Sequence, residues 1–226
     1  SFTRSNAEPT LFWPGSDSEQ ILLLVHVDDI VMPGPLDLVE EVTTKLQEQF
    51  RLTLGNLLLK EKDECSMVGR KVVRTVDGYT LEGDVGLCKR SLSELSLSEA
   101  KPAPTPFVSS SLSSSLDSQP LPPHLHALYR TLVGRLLYIS SDRIDLQFTA
   151  KHLARSLHCP TFTELTQLKR CFRYISGRPT LPCAINCSRR PTVLKVYSDA
   201  DWASCRKTRR STSGGCIAID DCLVHA

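Results

Sequence analysis

The chain has 226 residues, of which 41% are hydrophobic, 23% charged and 6% aromatic. This length fits one large domain or two small ones, and this composition excludes wholesale disorder and collagen-like or coiled-coil architectures. The longest purely apolar run, Ile21 to Val25, is far shorter than the roughly 18 residues of a membrane-spanning helix. We therefore expect a buried core and no membrane span.

Nine cysteines are spaced irregularly along the chain. An odd number cannot all pair, which excludes a full disulfide framework and favours a reducing compartment. We expect most of these cysteines to be small buried hydrophobic residues. The chain lacks an initiator methionine and a signal-peptide pattern, and we expect both ends to be cuts in a longer chain.

The formal net charge of +2 conceals a difference between the two halves of the chain. Residues 124–226 hold 16 Lys/Arg and 7 Asp/Glu, whereas residues 1–123 hold 11 Lys/Arg and 18 Asp/Glu. The basic second half favours a polyanionic partner, and a merely solvated surface explains the same charge equally well.

The first half predicts a hairpin, a helix and a second hairpin. The run from Gln20 to Val31 is rich in Ile, Leu and Val and indicates a buried hairpin with two carboxylates at its turn. Apolar residues at helical spacing after Pro35 predict an amphipathic helix, with its stripe formed by Leu36, Val39, Val42, Leu46 and Phe50. Met67 to Arg74 is typical of a strand that returns through an Asp77-Gly78 turn.

Residues 102–123 separate the two halves. This stretch of 22 residues holds 7 Ser and 6 Pro, a composition that buries too little apolar surface to offset the entropy of the chain. We interpret it as a linker and a domain boundary.

The second half predicts three helices followed by two strands. The apolar positions of the helices are Leu125, Leu128, Leu132 and Leu136; Leu146, Ala150, Leu153 and Leu157; and Phe162, Leu165, Leu168, Phe172 and Ile175. The third helix ends at Gly177-Arg178-Pro179. The strands are Val193 to Ser198, which leads into Asp199, and Gly215 to Ile219.

Asp28 and Asp29 are adjacent carboxylates within an apolar stretch, where charge is expensive. On a tight hairpin, one or both can point into a cleft and hold a hard divalent cation, which prefers oxygen ligands. The alternative is an Asp-Asp turn exposed to water, since turns favour Asp.

A second set of candidate residues lies near the end of the chain. Asp199 and Asp201 are either metal ligands or ordinary loop carboxylates, and Trp202 is either a base-stacking residue or a packing anchor. Basic side chains that we expect to contact nucleic-acid phosphates are Arg206, Lys207, Arg209 and Arg210, together with Lys169, Arg170 and Arg173 on the third helix. A solvated hairpin and helix face is the alternative for these cations.

A series of segments in fixed order carries a family resemblance. They are Glu8 to Phe12, Ile21 to Ile30, Phe50 to Thr53, Val68 to Arg70, Lys101 to Pro106, Tyr129 to Tyr138, Tyr197 to Ala203 and Arg209 to Gly215. Together they resemble the Pol polyprotein of Copia-type (Ty1/Copia) retrotransposons, over its reverse transcriptase and the start of its RNase H domain.

The resemblance implies a mixed α+β or α/β fold in four parts. Residues 1–101 would be a partial reverse transcriptase palm, a ferredoxin-like sheet with helices, followed by a hairpin and thumb region. Residues 102–123 would be the linker and residues 124–190 a helical connection. Residues 191–226 would be the first strands of a truncated RNase H-like domain.

The resemblance also implies roles for individual residues. Asp28 matches a metal-binding catalytic carboxylate of the polymerase, Asp29 a supporting catalytic carboxylate, and Asp199 the first metal-binding catalytic carboxylate of RNase H. His26 stands where the family usually has Tyr, which affects contact with the nucleic acid more than metal binding. The family's other essential palm carboxylate lies upstream of residue 1, so we expect this chain to be inactive alone.

The expected cofactor is Mg²⁺ or Mn²⁺. The expected partners are template RNA, RNA–DNA hybrid, a primer, deoxynucleoside triphosphates and the remaining parts of the Pol polyprotein, with no membrane. The family implies cytoplasmic virus-like particles as the location. Two alternatives stay open: a catalytically dead retroelement remnant that binds nucleic acid or has no function, and a plain α/β domain whose carboxylates hold no metal.

Overall fold

The computed structural model describes residues 2–14, 21–108, 119–203 and 209–225. This part of the chain forms five helices: α1 Leu36–Gln47, α2 Val85–Glu94, α3 Pro123–Ser140, α4 Ile144–Ala154 and α5 Phe162–Gly177. It also forms eleven strands: β1 Phe2–Arg4, β2 Leu11–Pro14, β3 Leu23–His26, β4 Asp29–Val31, β5 Glu64–Met67, β6 Arg70–Arg74, β7 Gly78–Glu82, β8 Cys183–Asn186, β9 Leu194–Ala200, β10 Ser213–Ile219 and β11 Cys222–His225. Every strand pair is antiparallel, which places the described chain in the α+β class.

The first sheet has the order β1-β2-β3-β4. Its β3–β4 pair confirms the predicted hairpin. Asp28 lies in the turn as predicted, whereas Asp29 is the first residue of β4. The strands of this hairpin are half-buried rather than buried as predicted. Ile21, just before β3, is buried.

The second sheet has the order β5-β6-β7-β8 and corrects one prediction. The strand expected from Met67 to Arg74 is broken by a turn at Val68 and Gly69, whose φ angles are 49° and 73°. The turn toward β7 lies at Val76 and Asp77, one residue before the predicted Asp77-Gly78, because Gly78 is the first residue of β7. Strand β8 pairs with β7 so closely that a Cβ atom on Gly78 would lie 2.0 Å from the carbonyl oxygen of Ile185, so only glycine fits there.

The third sheet has the order β11-β10-β9. Both predicted strands are present, and β11 adds a third that the sequence did not separate from its surroundings. Large hydrophobic side chains of β9 face solvent in this chain, with Leu194 and Val196 66% and 64% exposed.

The main hydrophobic core lies among α2, α3, α4 and α5. The three predicted helices of the second half are confirmed, and their leucine stripes meet in this core. Residues of this cluster that are fully shielded from solvent are Leu132, Val133, Leu136, Leu146, Leu153, Leu168, Phe172 and Ile175. Burial of such side chains is the main stabilising contribution to a fold of this kind.

Packing in the core crosses the predicted domain boundary. Helix α2, which precedes residues 102–123, contributes Cys88 and Leu92 to the same cluster as α3 to α5. The described ends of the Ser/Pro-rich stretch also lie against the helices: Ala103 and Leu121 are buried, and the Ala103 N–H donates to the carbonyl oxygen of Arg173.

A buried ion pair connects α4 to α5. The guanidinium of Arg143, 4% exposed, donates to both carboxylate oxygens of Asp145 at 2.9 and 2.8 Å and to the carbonyl oxygen of Arg178 at 2.7 Å. The Tyr174 hydroxyl donates to the same carboxylate. Burial alone would raise the pKa of Asp145, but the hydrogen bonds from Arg143 and Tyr174 and the charge of Arg143 outweigh it, so the pKa lies below its usual value.

Helix α1 confirms the predicted amphipathic helix, although none of its residues is fully buried. Within the described ranges, no helix is long and apolar enough to cross a membrane. The expectation for the cysteines is wrong for most of the eight that are described, because Cys88 and Cys171 alone among them are buried. Burial raises the pKa of Cys171 to about 12, so its thiol stays protonated and unreactive.

We predict that Leu132→Ala lowers the free energy of unfolding by about 2–5 kcal/mol, because it opens a cavity in the main core. Leu137→Ala on the same helix is the matched control, since Leu137 is 42% exposed, and it should cost less than about 1 kcal/mol. Urea unfolding followed by circular dichroism measures both. Equal decreases in the free energy of unfolding for the two variants would contradict the placement of Leu132 in the core.

We predict that Asp145→Asn lowers the free energy of unfolding by about 3 kcal/mol at pH 7, because it leaves the Arg143 guanidinium buried without its counterion. The folded-state pKa of Asp145 is lowered, so its stabilisation is complete above the unfolded-state pKa and disappears as pH falls through the folded-state value. The difference in free energy of unfolding between wild type and variant should therefore become smaller below about pH 4.

Urea unfolding at pH 7 and at pH 3 tests this prediction. Asp37→Asn, on the exposed first turn of α1, is the control and should change little at either pH. If Asp145→Asn lowers the free energy of unfolding by the same amount at both pH values, the ionised carboxylate is not stabilised by its partners.

Candidate functional site

The turn between β3 and β4 consists of Val27 and Asp28. His26 and Asp29 face each other across the hairpin as its last register pair. The side chains of these four residues are exposed, so water solvates both carboxylates and neither needs an ion to compensate its charge. Asp28 lies at the tip of the hairpin, where it is accessible to a cation.

Val27 holds this turn in an uncommon conformation. Its φ angle is 51°, a left-handed value that β-branched residues rarely adopt, and its side chain is 85% exposed. Such a conformation costs on the order of 1–3 kcal/mol and persists only where the surrounding structure imposes it. The tight hairpin, with its four-strand sheet behind it, imposes this conformation here.

Asp29 has a structural partner. Its Oδ2 accepts a hydrogen bond of 3.0 Å from the backbone N–H of Val68, in the turn between β5 and β6. Two residues farther along, the Nε of Arg70 donates to the Asp142 carboxylate at 2.6 Å, at the turn between α3 and α4. The carboxylate next to Asp28 is therefore part of a chain of contacts that runs from the first sheet to the helical core.

Asp199 lies near the end of β9, opposite Gly214 of β10, and the strand continues one residue beyond it to Ala200. Its side chain is exposed. Asp201 closes the end of this strand pair: its N–H donates to the carbonyl oxygen of Thr212 at 3.0 Å, and its Oδ1 accepts from the Thr212 N–H at 2.6 Å. Trp202, 92% exposed, is not a packing anchor within the described chain.

The predicted basic residues fall into three groups. Arg170 and Arg173 donate hydrogen bonds to the Thr105 hydroxyl and to the Lys101 carbonyl oxygen, so both are engaged in holding residues 101–105 against α5. Lys169, Arg209 and Arg210 are exposed. Arg206 and Lys207 lie outside the described residues.

The two candidate carboxylates are not brought together, since Asp28 belongs to the first sheet and Asp199 to the third. The described ranges contain no group of three or more His, Cys, Asp or Glu side chains that could hold a metal ion. The end of the β9–β10 pair does contact the helices, because Arg155 after α4 donates to the Thr212 hydroxyl at 3.1 Å.

A cavity to which the sequence assigned no role lies beside α3 and the end of α4. It has a volume of about 480 Å³ and is lined by His126, Arg130, Leu157 and His158. His126 and Arg130 are four residues apart, which places them on one face of a helix. This spacing is the one feature of the sequence from which their proximity could be predicted. That His158 lines the same cavity could not be predicted from the sequence, because it depends on how α3 and α4 pack.

Comparison with known proteins finds no matching protein-family profile and no matching solved structure. The chain is similar to the retrovirus-related Pol polyproteins from transposons RE2 and RE1 of Arabidopsis thaliana, with 28% identity over 221 and 215 residues. Each match covers 94% of this chain and 14% of the relative, so the chain spans about one seventh of the length of these polyproteins.

A third relative is the uncharacterized mitochondrial protein AtMg00810 of Arabidopsis thaliana. It is 28% identical over 202 residues, which cover 87% of this chain and 78% of the relative. The similarity thus extends over nearly the whole chain and includes both the Asp28 hairpin and the strand that carries Asp199. These matches support the resemblance of this chain to a segment of a retrotransposon Pol polyprotein.

Proposed function

We propose that this chain is part of a retrotransposon RNA-directed DNA polymerase with RNase H activity, and that it supplies one carboxylate to each of the two sites. Asp28 serves the polymerase and Asp199 serves RNase H. The observation that carries the proposal is the β3–β4 hairpin, whose two-residue turn exposes Asp28 while Asp29 is anchored by Val68. The similarity to retrovirus-related Pol polyproteins supports it.

The metal expected for both reactions is Mg²⁺ or Mn²⁺, which in two-metal sites stabilises the attacking and leaving oxygens. Mg²⁺ demands near-octahedral coordination by oxygen ligands. Asp28 offers one free carboxylate, one oxygen of Asp29 already accepts a hydrogen bond, and Asp201 is engaged with Thr212. The described residues therefore do not complete a metal site, and other parts of the polyprotein must supply the remaining ligands.

The isolated chain, in this proposal, binds RNA–DNA hybrid without extending the primer or cutting the RNA. The excess of basic residues after position 124 supports phosphate binding. His26, Lys169, Arg209 and Arg210 are exposed and positioned to take part. Template RNA, primer and deoxynucleoside triphosphates are the partners of the complete enzyme.

A second candidate function is that of a catalytically dead remnant that only binds nucleic acid. His26, where the resembling family usually has Tyr, favours it. The two candidates differ in one respect: whether Asp28 and Asp199 support catalysis once the missing parts of the enzyme are provided.

We predict that this chain restores both activities when it replaces the matching segment of an RE1-type Pol polyprotein. In that chimera, Asp28→Asn should lower DNA synthesis at least about 100-fold and leave hybrid cleavage intact, whereas Asp199→Asn should do the reverse, since each removes one metal ligand. Primer extension and cleavage of a labelled hybrid measure the two activities, and each variant is the folding control for the other.

A different outcome identifies the remnant. If the chimera lacks both activities while the isolated chain still binds hybrid, with a salt dependence unchanged by Asp28→Asn and Asp199→Asn, the chain is a binding module only. If one substitution abolishes both activities, the assignment of one carboxylate to each site is wrong.

We also predict that the two adjacent carboxylates of the hairpin differ in their effect on stability. Asp29→Ala should lower the free energy of unfolding by about 1 kcal/mol, because the Val68 N–H loses its acceptor. Asp28→Ala should change it by less than about 0.5 kcal/mol, because its side chain is exposed at the turn. Urea unfolding of the isolated chain measures both. A larger loss for Asp28→Ala would assign Asp28 a structural role.

A further inference from the structure

We propose that the cavity between α3 and the end of α4 binds a backbone phosphate of a nucleic-acid strand. This inference rests on the proposed function, which makes nucleic acid the partner of the chain. The cavity, about 480 Å³ in volume, is bordered by His126 and Arg130 on α3 and by Leu157 and His158 after α4. None of these residues belongs to the carboxylate sites described above.

The side chains around the cavity provide hydrogen-bond donors. Arg130 is exposed and forms no ion pair with any residue in the described ranges, so its guanidinium is available to a ligand. The Nε2 of His126 lies 2.9 Å from the carbonyl oxygen of Leu157, a hydrogen bond that fixes the ring in the cavity wall. His158 is exposed opposite Arg130. A guanidinium matches the oxygens of a phosphate better than any other side chain.

The residues that line the cavity include no Asp or Glu. The flanking stretches of chain, residues 119–141 and 146–163, contain none either. The next carboxylate along the chain, Glu164, accepts a hydrogen bond from the Thr161 N–H in the capping box of α5. His126 also lies near the N-terminus of the 18-residue helix α3, where the helix dipole favours an anion.

The position of the cavity selects a nucleic-acid strand as the source of the phosphate. Arg155 contacts Thr212, which is bonded to Asp201, two residues beyond Asp199. His158 is three residues from Arg155, at most about 11 Å along the chain. Since one strand of a duplex carries a phosphate about every 3.4 Å along its axis, this distance corresponds to roughly three nucleotides. A strand that contacts Arg155 therefore has a phosphate within reach of His158 on the cavity wall.

The test uses the full chain and a fluorescein-labelled RNA–DNA hybrid, with binding followed by fluorescence anisotropy between 50 and 200 mM KCl. For Arg130→Gln combined with His158→Gln, we expect about 3- to 10-fold weaker binding and a slope of log K against log[salt] that is smaller by about 1. Arg51→Gln removes an exposed arginine on the other half of the chain and should change affinity less than about twofold. Thermal melts verify that each variant is folded.

A second arm of the experiment separates a strand phosphate from a free anion. Inorganic phosphate should shift the ¹H–¹⁵N resonances of His126 and His158 in the wild type and should compete with the hybrid. In the double variant, which lacks His158, it should leave the resonance of His126 unchanged. Phosphate binding without any change in hybrid affinity in the double variant would make the cavity a small-anion site and overturn the proposal.

The outcomes also separate this inference from the proposed function. If the wild-type chain binds hybrid and the double variant loses no more affinity than Arg51→Gln, the phosphate site is wrong and the proposed function stands. If the wild-type chain does not bind hybrid at any salt concentration, both are wrong.

Discussion

The buried guanidinium of Arg143 is the interaction on which the arrangement of this chain depends. It joins the start of α4, through Asp145, to the end of α5, through the carbonyl oxygen of Arg178. A buried ion pair contributes little net stability compared with hydrophobic residues of the same volume, but removing either partner is costly. Its effect is to fix how the helices meet, because the guanidinium satisfies its donors in one geometry only. The hydrophobic stripes of α2 to α5 then supply the stability of the core.

Both candidate carboxylates are positioned from this helical core. Next to Arg143, the Asp142 side chain binds Arg70 of the second sheet, and the turn before Arg70 binds Asp29 of the first sheet. On the other side, Arg155 binds Thr212, and the Asn186 N–H donates to the Cys222 sulfur, which attaches the third sheet. Asp28 and Asp199 thus belong to separate peripheral sheets. This arrangement disfavours a metal centre shared by the two carboxylates.

The basic residues show why charge in a sequence is an incomplete guide to a binding surface. Arg170 and Arg173 lie in a strongly basic helix, yet both donate hydrogen bonds to residues 101–105 and stabilise the chain's own packing. Arg130 has no such partner among the described residues and borders a cavity whose lining residues include no Asp or Glu. A guanidinium donates to backbone carbonyls as well as to phosphates, so its surroundings decide which of them it binds.

Local patterns in the sequence determined the helices α1, α3, α4 and α5 and the β3–β4 hairpin, because leucine spacing and alternation act over a few residues. They also placed Asp28 at a turn. Contacts between distant residues decided the rest: β8 pairs with β7 about 100 residues away, and Asp29 finds its partner at Val68. The turn at Val68 was missed because a β-branched residue favours a strand, and this preference is overridden by sheet packing. Pairings of this kind depend on the geometry of the whole fold, which no short stretch of sequence specifies.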